Sequence, residues 1–199
     1  MTYKKYRLNL VVLSCSSMLL AVIASAAEGP QGDPSKLISL KKCAMCHKKA
    51  EKGNQYGVWQ TMNHAKAYET LGTDEAKTIA AKLGIENPQA SGKCLKCHST
   101  AYFFTEEVQT EEITVENGVS CQSCHGPGAD YKKKTIMMDR DASIAAGMIY
   151  PAKEKSCTMC HNEESATWNP ERYTLPDGSK TGFDAAQAYE KIKHERPAE

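Results

Sequence analysis

Eight of the nine cysteines form four pairs of identical spacing, and a histidine follows each pair directly. Because histidine occupies only 6 of 199 positions, its return after every pair is not accidental. Cys-x-x-Cys-His is the attachment signature of c-type haem. The two thiols bond to the edge of the porphyrin, and the histidine binds iron through a neutral imidazole nitrogen. The chain is therefore predicted to carry four c-type haems and their iron.

The predicted residues fall into two sets. The haem-attaching cysteines are Cys43, Cys46, Cys94, Cys97, Cys121, Cys124, Cys157 and Cys160. The proximal iron ligands are His47, His98, His125 and His161. These four motifs are called motifs 1 to 4 in chain order.

Other sites built from cysteine pairs account for the pattern less well. Motifs 2 and 3 have a tolerable spacing for an all-cysteine zinc ribbon, but zinc takes four ligands and has no use for four trailing histidines. A thioredoxin-like pair needs a βαβ context that this chain lacks. Plain disulfides suit an exported protein but do not explain the histidines.

The sixth iron ligands are fewer than four haems require. Four irons with two imidazoles each need eight histidines, and the chain has six. His64 and His194 remain after the proximal set, so at most two haems have two histidine ligands within one chain. We expect both residues to be ligands, although His64 could instead be a core histidine and His194 could complement a helix dipole.

The other two irons have several candidate ligands. Met137, Met138 and Met148 are possible, although methionines at this spacing more often fill a core. Lysine, tyrosine, water or an open position are the alternatives. An open position would admit small molecules.

The N-terminus has the features of a secretory signal peptide. Three cationic residues precede an apolar run from Leu10 to Ile23, and Ala24-Ser25-Ala26 has the small-residue pattern of a cleavage site. An uncleaved membrane anchor and a lipoprotein at Cys15 are the alternatives. Cleavage would leave 22 basic and 24 acidic side chains, a net charge of −2. We therefore expect a periplasmic protein, and its near-neutral charge gives no indication of nucleic-acid binding.

The periodicity favours helices and loops over sheets. One helix is predicted over 58–71, with His64, Tyr68 and Leu71 on one face, and a second from Thr73 to Gly84. Short helices are predicted at 141–149 and 184–194, strand character at 111–120 with a turn at 117–118, and turns over 170–182.

The composition and the motifs together predict a mainly α multihaem fold. Only 7% of the residues are aromatic, three of them phenylalanine, so the chain has little bulky apolar material for a core. Four porphyrins would provide that core, with short helices and loops wrapped around them. The predicted organisation is a signal peptide over 1–26, a flexible linker over 27–36 and a tetrahaem cytochrome domain over 37–199.

Three segments make the chain resemble the tetrahaem cytochrome c-554 family of periplasmic electron carriers. They are Trp59-Gln60-Thr61-Met62-Asn63-His64-Ala65, Cys94-Leu95-Lys96-Cys97-His98-Ser99-Thr100 and Gly118-Val119-Ser120-Cys121-Gln122-Ser123-Cys124-His125-Gly126-Pro127-Gly128. The resemblance implies a mainly helical fold with closely packed haem pairs and His64 as a distal ligand.

The resemblance also carries a departure. Family members commonly have a histidine shortly after the Gly-Pro-Gly turn as another distal ligand, and Tyr131 holds that place here. The family's second haem is five-coordinate. The resemblance therefore implies that the irons of His47 and His98 lack a distal histidine.

The expected function is electron transfer between periplasmic or membrane-bound redox proteins, in anaerobic or nitrogen respiration. No nucleophile constellation, phosphate-binding loop or carboxylate pair indicates another chemistry. The alternative is an enzyme that reduces a small nitrogen species, such as nitric oxide or hydroxylamine, at an open haem. Haem-based sensing or storage is a third possibility.

Overall fold

The computed structural model describes residues 32–105, 113–152 and 154–194. The predicted signal peptide and residues 27–31 of the predicted linker lie outside these ranges, and Pro34–Lys36 forms a 3-10 turn. None of the described helices is long and apolar enough to cross a membrane. The α-helices are α1 (Leu40–His47), α2 (Gln55–Gln60), α3 (Ala67–Thr70), α4 (Asp74–Lys82), α5 (Gly92–His98), α6 (Thr100–Thr105), α7 (Cys121–His125), α8 (Lys134–Met137), α9 (Arg140–Ala145), α10 (Glu154–Thr158) and α11 (Ala185–Ile192).

The protein is mainly α, as the sequence predicts. Within the described ranges, strand structure is limited to β1 (Tyr173–Thr174) and β2 (Lys180–Thr181), an antiparallel pair with Tyr173 opposite Thr181. This hairpin lies in the segment predicted to be rich in turns. Further 3-10 turns cover Ala50–Lys52 and Val115–Asn117.

Each Cys-x-x-Cys-His motif lies on one short helical turn. Motifs 1, 2 and 3 form the C-terminal ends of α1, α5 and α7. Motif 4 begins in α10, and a hydrogen bond of 2.9 Å from the His161 amide to the Cys157 carbonyl continues the turn. Residues three apart share one face of a helix, so this geometry turns both thiols of a motif to the same side.

The predicted continuous helix over 58–71 is wrong, because α2 and α3 are separate. The chain between them turns through tighter bonds, such as Ala67 N–H to His64 O at 3.2 Å. The His64 carbonyl also accepts the Val119 amide at 3.0 Å, and the Trp59 indole donates to Val119 O at 2.9 Å. These tertiary bonds outweigh helix periodicity and place His64 in a turn.

The strand predicted over 111–120 is also wrong for residues 113–120, the part of this range that the structure describes. The Thr100 amide donates to Gly118 O at 2.8 Å, while Val119 bonds to His64, so the segment pairs with two different parts of the chain. The predicted turn at 117–118 is confirmed, since Gly118 has φ of +60°. A Cβ at that position would lie 2.9 Å from the carbonyl oxygens of His64 and Ala65.

The remaining helix predictions are confirmed with shorter bounds. Thr73 caps α4 by accepting the Ala76 amide at 3.2 Å, and Gly84 follows the helix with φ of +68°. Asp139 and Asp184 cap α9 and α11 in the same way. These are local sequence signals, which is why they could be located without the tertiary structure.

The apolar core is small for a chain of this length. Its main cluster joins Leu71, Leu95 and Val115, with Tyr68 and Tyr102 packed against it. The cluster lies around motif 2 and does not extend to the other three motifs. Packing of apolar side chains is therefore not the main interaction that positions the four motifs.

Buried hydrogen bonds connect motif 3 to the rest of the chain. Gln122, a residue inside motif 3, is 2% exposed and makes three hydrogen bonds. Its oxygen accepts the amides of Ile38 and Gly128 at 3.0 and 2.9 Å, and its amide donates to Ile38 O at 2.8 Å. On the side of motif 3 that faces motif 2, Thr100 Oγ1 accepts a hydrogen bond from the Ser120 amide.

We predict that Gln122→Leu destabilises the protein strongly. The substitution leaves three buried backbone groups without partners, and each such group costs about 1–3 kcal/mol. Thermal unfolding of the holoprotein, followed by circular dichroism, measures the loss. The exposed Gln60 provides the control, and equal melting temperatures for Gln122→Leu and Gln60→Leu would contradict the role of Gln122.

Candidate haem-binding site

The four motifs form a continuous series in space that differs from their order in the chain. The Cys121 thiol donates a hydrogen bond to Cys43, which joins motifs 3 and 1. Burial and the nearby Cys157 thiol raise the pKa of Cys124, so motifs 3 and 4 are neighbours. The Cys160 thiol donates to Cys97, which joins motifs 4 and 2, and this bond lowers the pKa of Cys97 to about 7. The spatial order is therefore motif 1, motif 3, motif 4, motif 2.

An ion pair reinforces the contact between motifs 2 and 4. Lys96 Nζ lies 2.6 Å from the Glu164 carboxylate, and this contact raises the pKa of Lys96. The lysine is inside motif 2, and the glutamate lies three residues after His161. Motif 2 is thus attached to motif 4, although the two motifs are far apart in the chain.

Three of the proximal histidines have their Nδ1 atoms held by hydrogen bonds. His98 Nδ1 donates to Ala67 O at 2.7 Å, and His125 Nδ1 donates to Ile149 O at 3.0 Å. His47 Nδ1 lies 3.1 Å from the side-chain oxygen of Gln55. A hydrogen bond at Nδ1 fixes the tautomer and the ring orientation, so that Nε2 is the nitrogen available to iron.

The two predicted distal histidines each lie beside a proximal histidine. The rings of His64 and His161 have centroids 6.0 Å apart at an interplanar angle of 69°. The rings of His125 and His194 have centroids 5.9 Å apart at 46°. His47 and His98 form no such ring pair with another histidine among the described residues.

These distances fit two imidazoles on opposite faces of one iron. A metal-bound imidazole nitrogen lies about 2 Å from its metal, so two rings bound in this way have centroids about 6 Å apart. Burial lowers the pKa of His64, His125, His161 and His194, which keeps their rings neutral. Neutral imidazole is the form that binds iron, so the residues present fit haem.

Tyr131 stands where the family resemblance leads us to expect a distal histidine ligand, and its role there is structural. It is 7% exposed, and its hydroxyl donates to Gly126 O at 2.7 Å and lies 3.2 Å from His125 O. Burial, together with the nearby thiols of Cys43 and Cys121, raises its pKa. The phenol therefore stays protonated, and its hydroxyl stabilises the turn after motif 3 by hydrogen bonding.

The alternative uses of the cysteines do not match this geometry. The eight motif cysteines are free thiols rather than disulfides. Cys97 of motif 2 is hydrogen-bonded to Cys160 of motif 4, whereas a zinc ribbon would bring the cysteines of motifs 2 and 3 together. Met138, one of the three methionines considered as iron ligands, is 64% exposed.

Sequence reasoning did not identify Phe183 as part of the site. Its ring stacks on His161 with centroids 5.3 Å apart and an interplanar angle of 12°. Tyr173 packs edge-on against Phe183, and Lys191 Nζ lies 5.1 Å from the centroid of the Tyr173 ring. The hairpin and α11 thus brace His161 from the side. No spacing rule connects Phe183 to His161, so only the fold reveals the contact.

Comparisons with known proteins identify cytochromes to which the chain is similar. The family model described as cytochrome c554 and c-prime matches residues 42–126, and the cytochrome c3 model matches residues 86–172. The chain is a c-type cytochrome related to the cytochrome c-554 family. The cytochrome c-554 of Nitrosomonas europaea is 26% identical over 176 residues, which cover 79% of this chain and 72% of that relative. No solved structure matches this cytochrome.

Membership among the c-type cytochromes establishes the general chemistry. Such proteins carry covalently bound haem c and exchange electrons with redox partners. The role of this cytochrome is therefore haem-based electron transfer. The resemblance given by the segments around motifs 1 to 3 is confirmed.

We predict that Phe183→Leu changes the environment of a single haem. Loss of the stacked ring frees the His161 imidazole to rotate, and the angle between two axial ring planes sets the g-values of low-spin iron. EPR of the oxidised protein should show one low-spin signal shifted and the others unchanged, with a stability loss of about 1 kcal/mol. Phe103→Leu, which removes a ring packed on Phe104, is the control. Identical spectra for the two variants would contradict the bracing role.

Proposed function

We propose that this cytochrome carries four haems and relays electrons along them in the order motif 1, motif 3, motif 4, motif 2. The observation that supports the order is the proximity of cysteines from successive motifs: Cys43 and Cys121 are hydrogen-bonded, as are Cys97 and Cys160, and Cys157 lies near Cys124. Porphyrins attached at these cysteines would be neighbours, and the motifs at the two ends of the series would provide entry and exit. The proposal extends to the tetrahaem domain over 37–199.

We assign the cysteines of the four motifs to haem attachment and their histidines to the proximal ligand positions. His64 is assigned as the second ligand at motif 4, and His194 as the second ligand at motif 3, on the ring distances of 6.0 and 5.9 Å. His47 lowers the pKa of His194 and therefore also lies near it, but His125 is the ring that His194 contacts.

The protein residues perform three tasks at these sites. The cysteines anchor each group covalently, and the axial imidazoles are kept neutral by burial. Backbone carbonyls such as Ile149 O and Ala67 O orient the rings through Nδ1. Bound haem supplies reversible one-electron exchange between ferric and ferrous iron. Rigid ligands keep the reorganisation that accompanies that exchange small.

The proposed location is the periplasm, reached through a cleaved signal peptide over 1–26. The cationic start, the apolar run and the Ala24-Ser25-Ala26 site support it, as does the relationship to cytochrome c-554. The proposed partners are an electron donor and an acceptor of anaerobic or nitrogen respiration, either periplasmic or membrane-bound.

A second candidate function is reduction of a small nitrogen species at an iron with an open position. The specific observation is that His47 and His98 form no ring pair with another histidine among the described residues, while His64 and His194 each lie beside a histidine of motif 4 or motif 3. If the high-spin iron binds nitric oxide but does not reduce it, electron transfer remains the function.

Four haems per chain are expected for the purified holoprotein. A pyridine haemochrome assay, calibrated against amino-acid analysis, measures the number. Cys94→Ser/Cys97→Ser should lower it by one haem while leaving the other attachment sites loaded. A value that does not change on this substitution would contradict haem attachment at motif 2.

The two distal ligand assignments predict separate spectroscopic losses. His64→Ala should convert one low-spin iron to high-spin, and His194→Ala should convert a different one, because each imidazole serves one iron. EPR of the oxidised protein measures both changes. The double variant should lose both signals additively.

Each distal variant has a proximal counterpart that tests the pairing. His161→Met should alter the same low-spin signal that His64→Ala removes, and it should leave the His194-dependent signal in place. Loss of the His194-dependent signal instead would reverse the assignment of the two distal histidines.

A further inference from the structure

Motif 1 is the most exposed of the four motifs. Cys46 is exposed, whereas the other seven motif cysteines are half-buried. Met45, between the two cysteines of motif 1, is 63% exposed. A porphyrin attached at Cys46 therefore has its edge at the protein surface, where a partner protein can approach it.

Lysines surround this exposed edge. Five exposed lysines lie on both sides of the motif and are called the lysine collar: Lys41, Lys42, Lys48, Lys49 and Lys52. Between residues 39 and 60 the only acidic residue is Glu51. None of the collar lysines forms an ion pair within the described residues, whereas Lys36, Lys77 and Lys96 do.

The fold adds a second basic run to the same side of the molecule. The Ala129 amide donates to Lys36 O at 3.0 Å, and Tyr131 lies beside Cys43, so this segment packs against the start of α1. The exposed lysines 132–134 follow directly. Sequence alone separates this run from the collar by about 80 residues.

The segment that follows motif 4 has more acidic than basic side chains. Between residues 160 and 178 the charged side chains are Glu163, Glu164, Glu171, Arg172 and Asp177, which are all exposed. Lys96 neutralises Glu164 only. A net charge of −2 for the predicted mature chain therefore coexists with a locally basic surface at motif 1.

We infer that the lysine collar is the docking surface for an acidic redox protein, with Met45 and Cys46 at the centre of the contact. An apolar centre inside a charged rim is the usual anatomy of a transient interface. Unpaired lysines steer an acidic partner into place and accelerate the encounter. This inference rests on the proposed function, since it needs haem at motif 1.

One electron crosses this surface in each encounter. A reduced acidic partner is oxidised by one electron, and the ferric iron at motif 1 becomes ferrous, without proton transfer or bond formation. The collar is assigned to one partner only.

Plant-type ferredoxin, an acidic redox protein, is the probe. Its oxidised form is titrated into the ferric holoprotein by calorimetry at several salt concentrations. Lys48→Gln/Lys49→Gln should weaken binding about 10-fold at low salt and flatten its salt dependence. Lys77→Gln/Lys82→Gln, two exposed lysines on α4, removes the same charge and should leave binding within about 2-fold.

Equal weakening in both variants, or binding that does not respond to salt, would overturn the inference. The haemochrome assay on each variant separates this outcome from failure of the proposed function, because a loaded protein that does not dock retains its four haems. Carbodiimide cross-linking of the unaltered protein to ferredoxin is the second measurement. Cross-linked peptides should contain collar lysines or lysines 132–134, and cross-links confined to other lysines would contradict the docking site.

Discussion

The position of motif 3 between motifs 1 and 4 is the constraint on which the rest of the structure depends. Its two cysteines face different neighbours, with Cys121 against Cys43 and Cys124 against Cys157. Because these two thiols lie three positions apart on one short helix, that helix lies between motif 1 and motif 4 as a junction. Without that junction motif 1 would not be connected to motifs 4 and 2, and the proposed path for electrons would be interrupted.

Polar bonds rather than apolar packing hold this junction in place. Gln122 ties motif 3 to Ile38, and the Tyr131 hydroxyl closes the turn behind it. A hydrogen bond is directional, so it fixes the angle at which a motif presents its cysteines and histidine more closely than a small apolar cluster can. The chain thereby positions large apolar cofactors with few apolar side chains of its own.

The distribution of charge at motif 1 differs from the average of the molecule. The exposed surface around motif 1 is basic, and the segment after motif 4 has more acidic than basic side chains. An acidic partner, as proposed, would therefore meet a local positive field at motif 1, although the whole molecule is close to neutral. Local charge within a Debye length governs the encounter, and the net charge does not.

The sequence by itself determined the chemistry, because covalent attachment depends on residues within five positions of each other. The cysteine pairs, their histidines and the caps of α4, α9 and α11 are all local signals. Only the tertiary structure decided the order of the motifs, the break between α2 and α3, and the contact of Phe183 with His161. These features arise from bonds between distant segments, such as Val119 with His64, and no local pattern of residue types encodes which segments will meet.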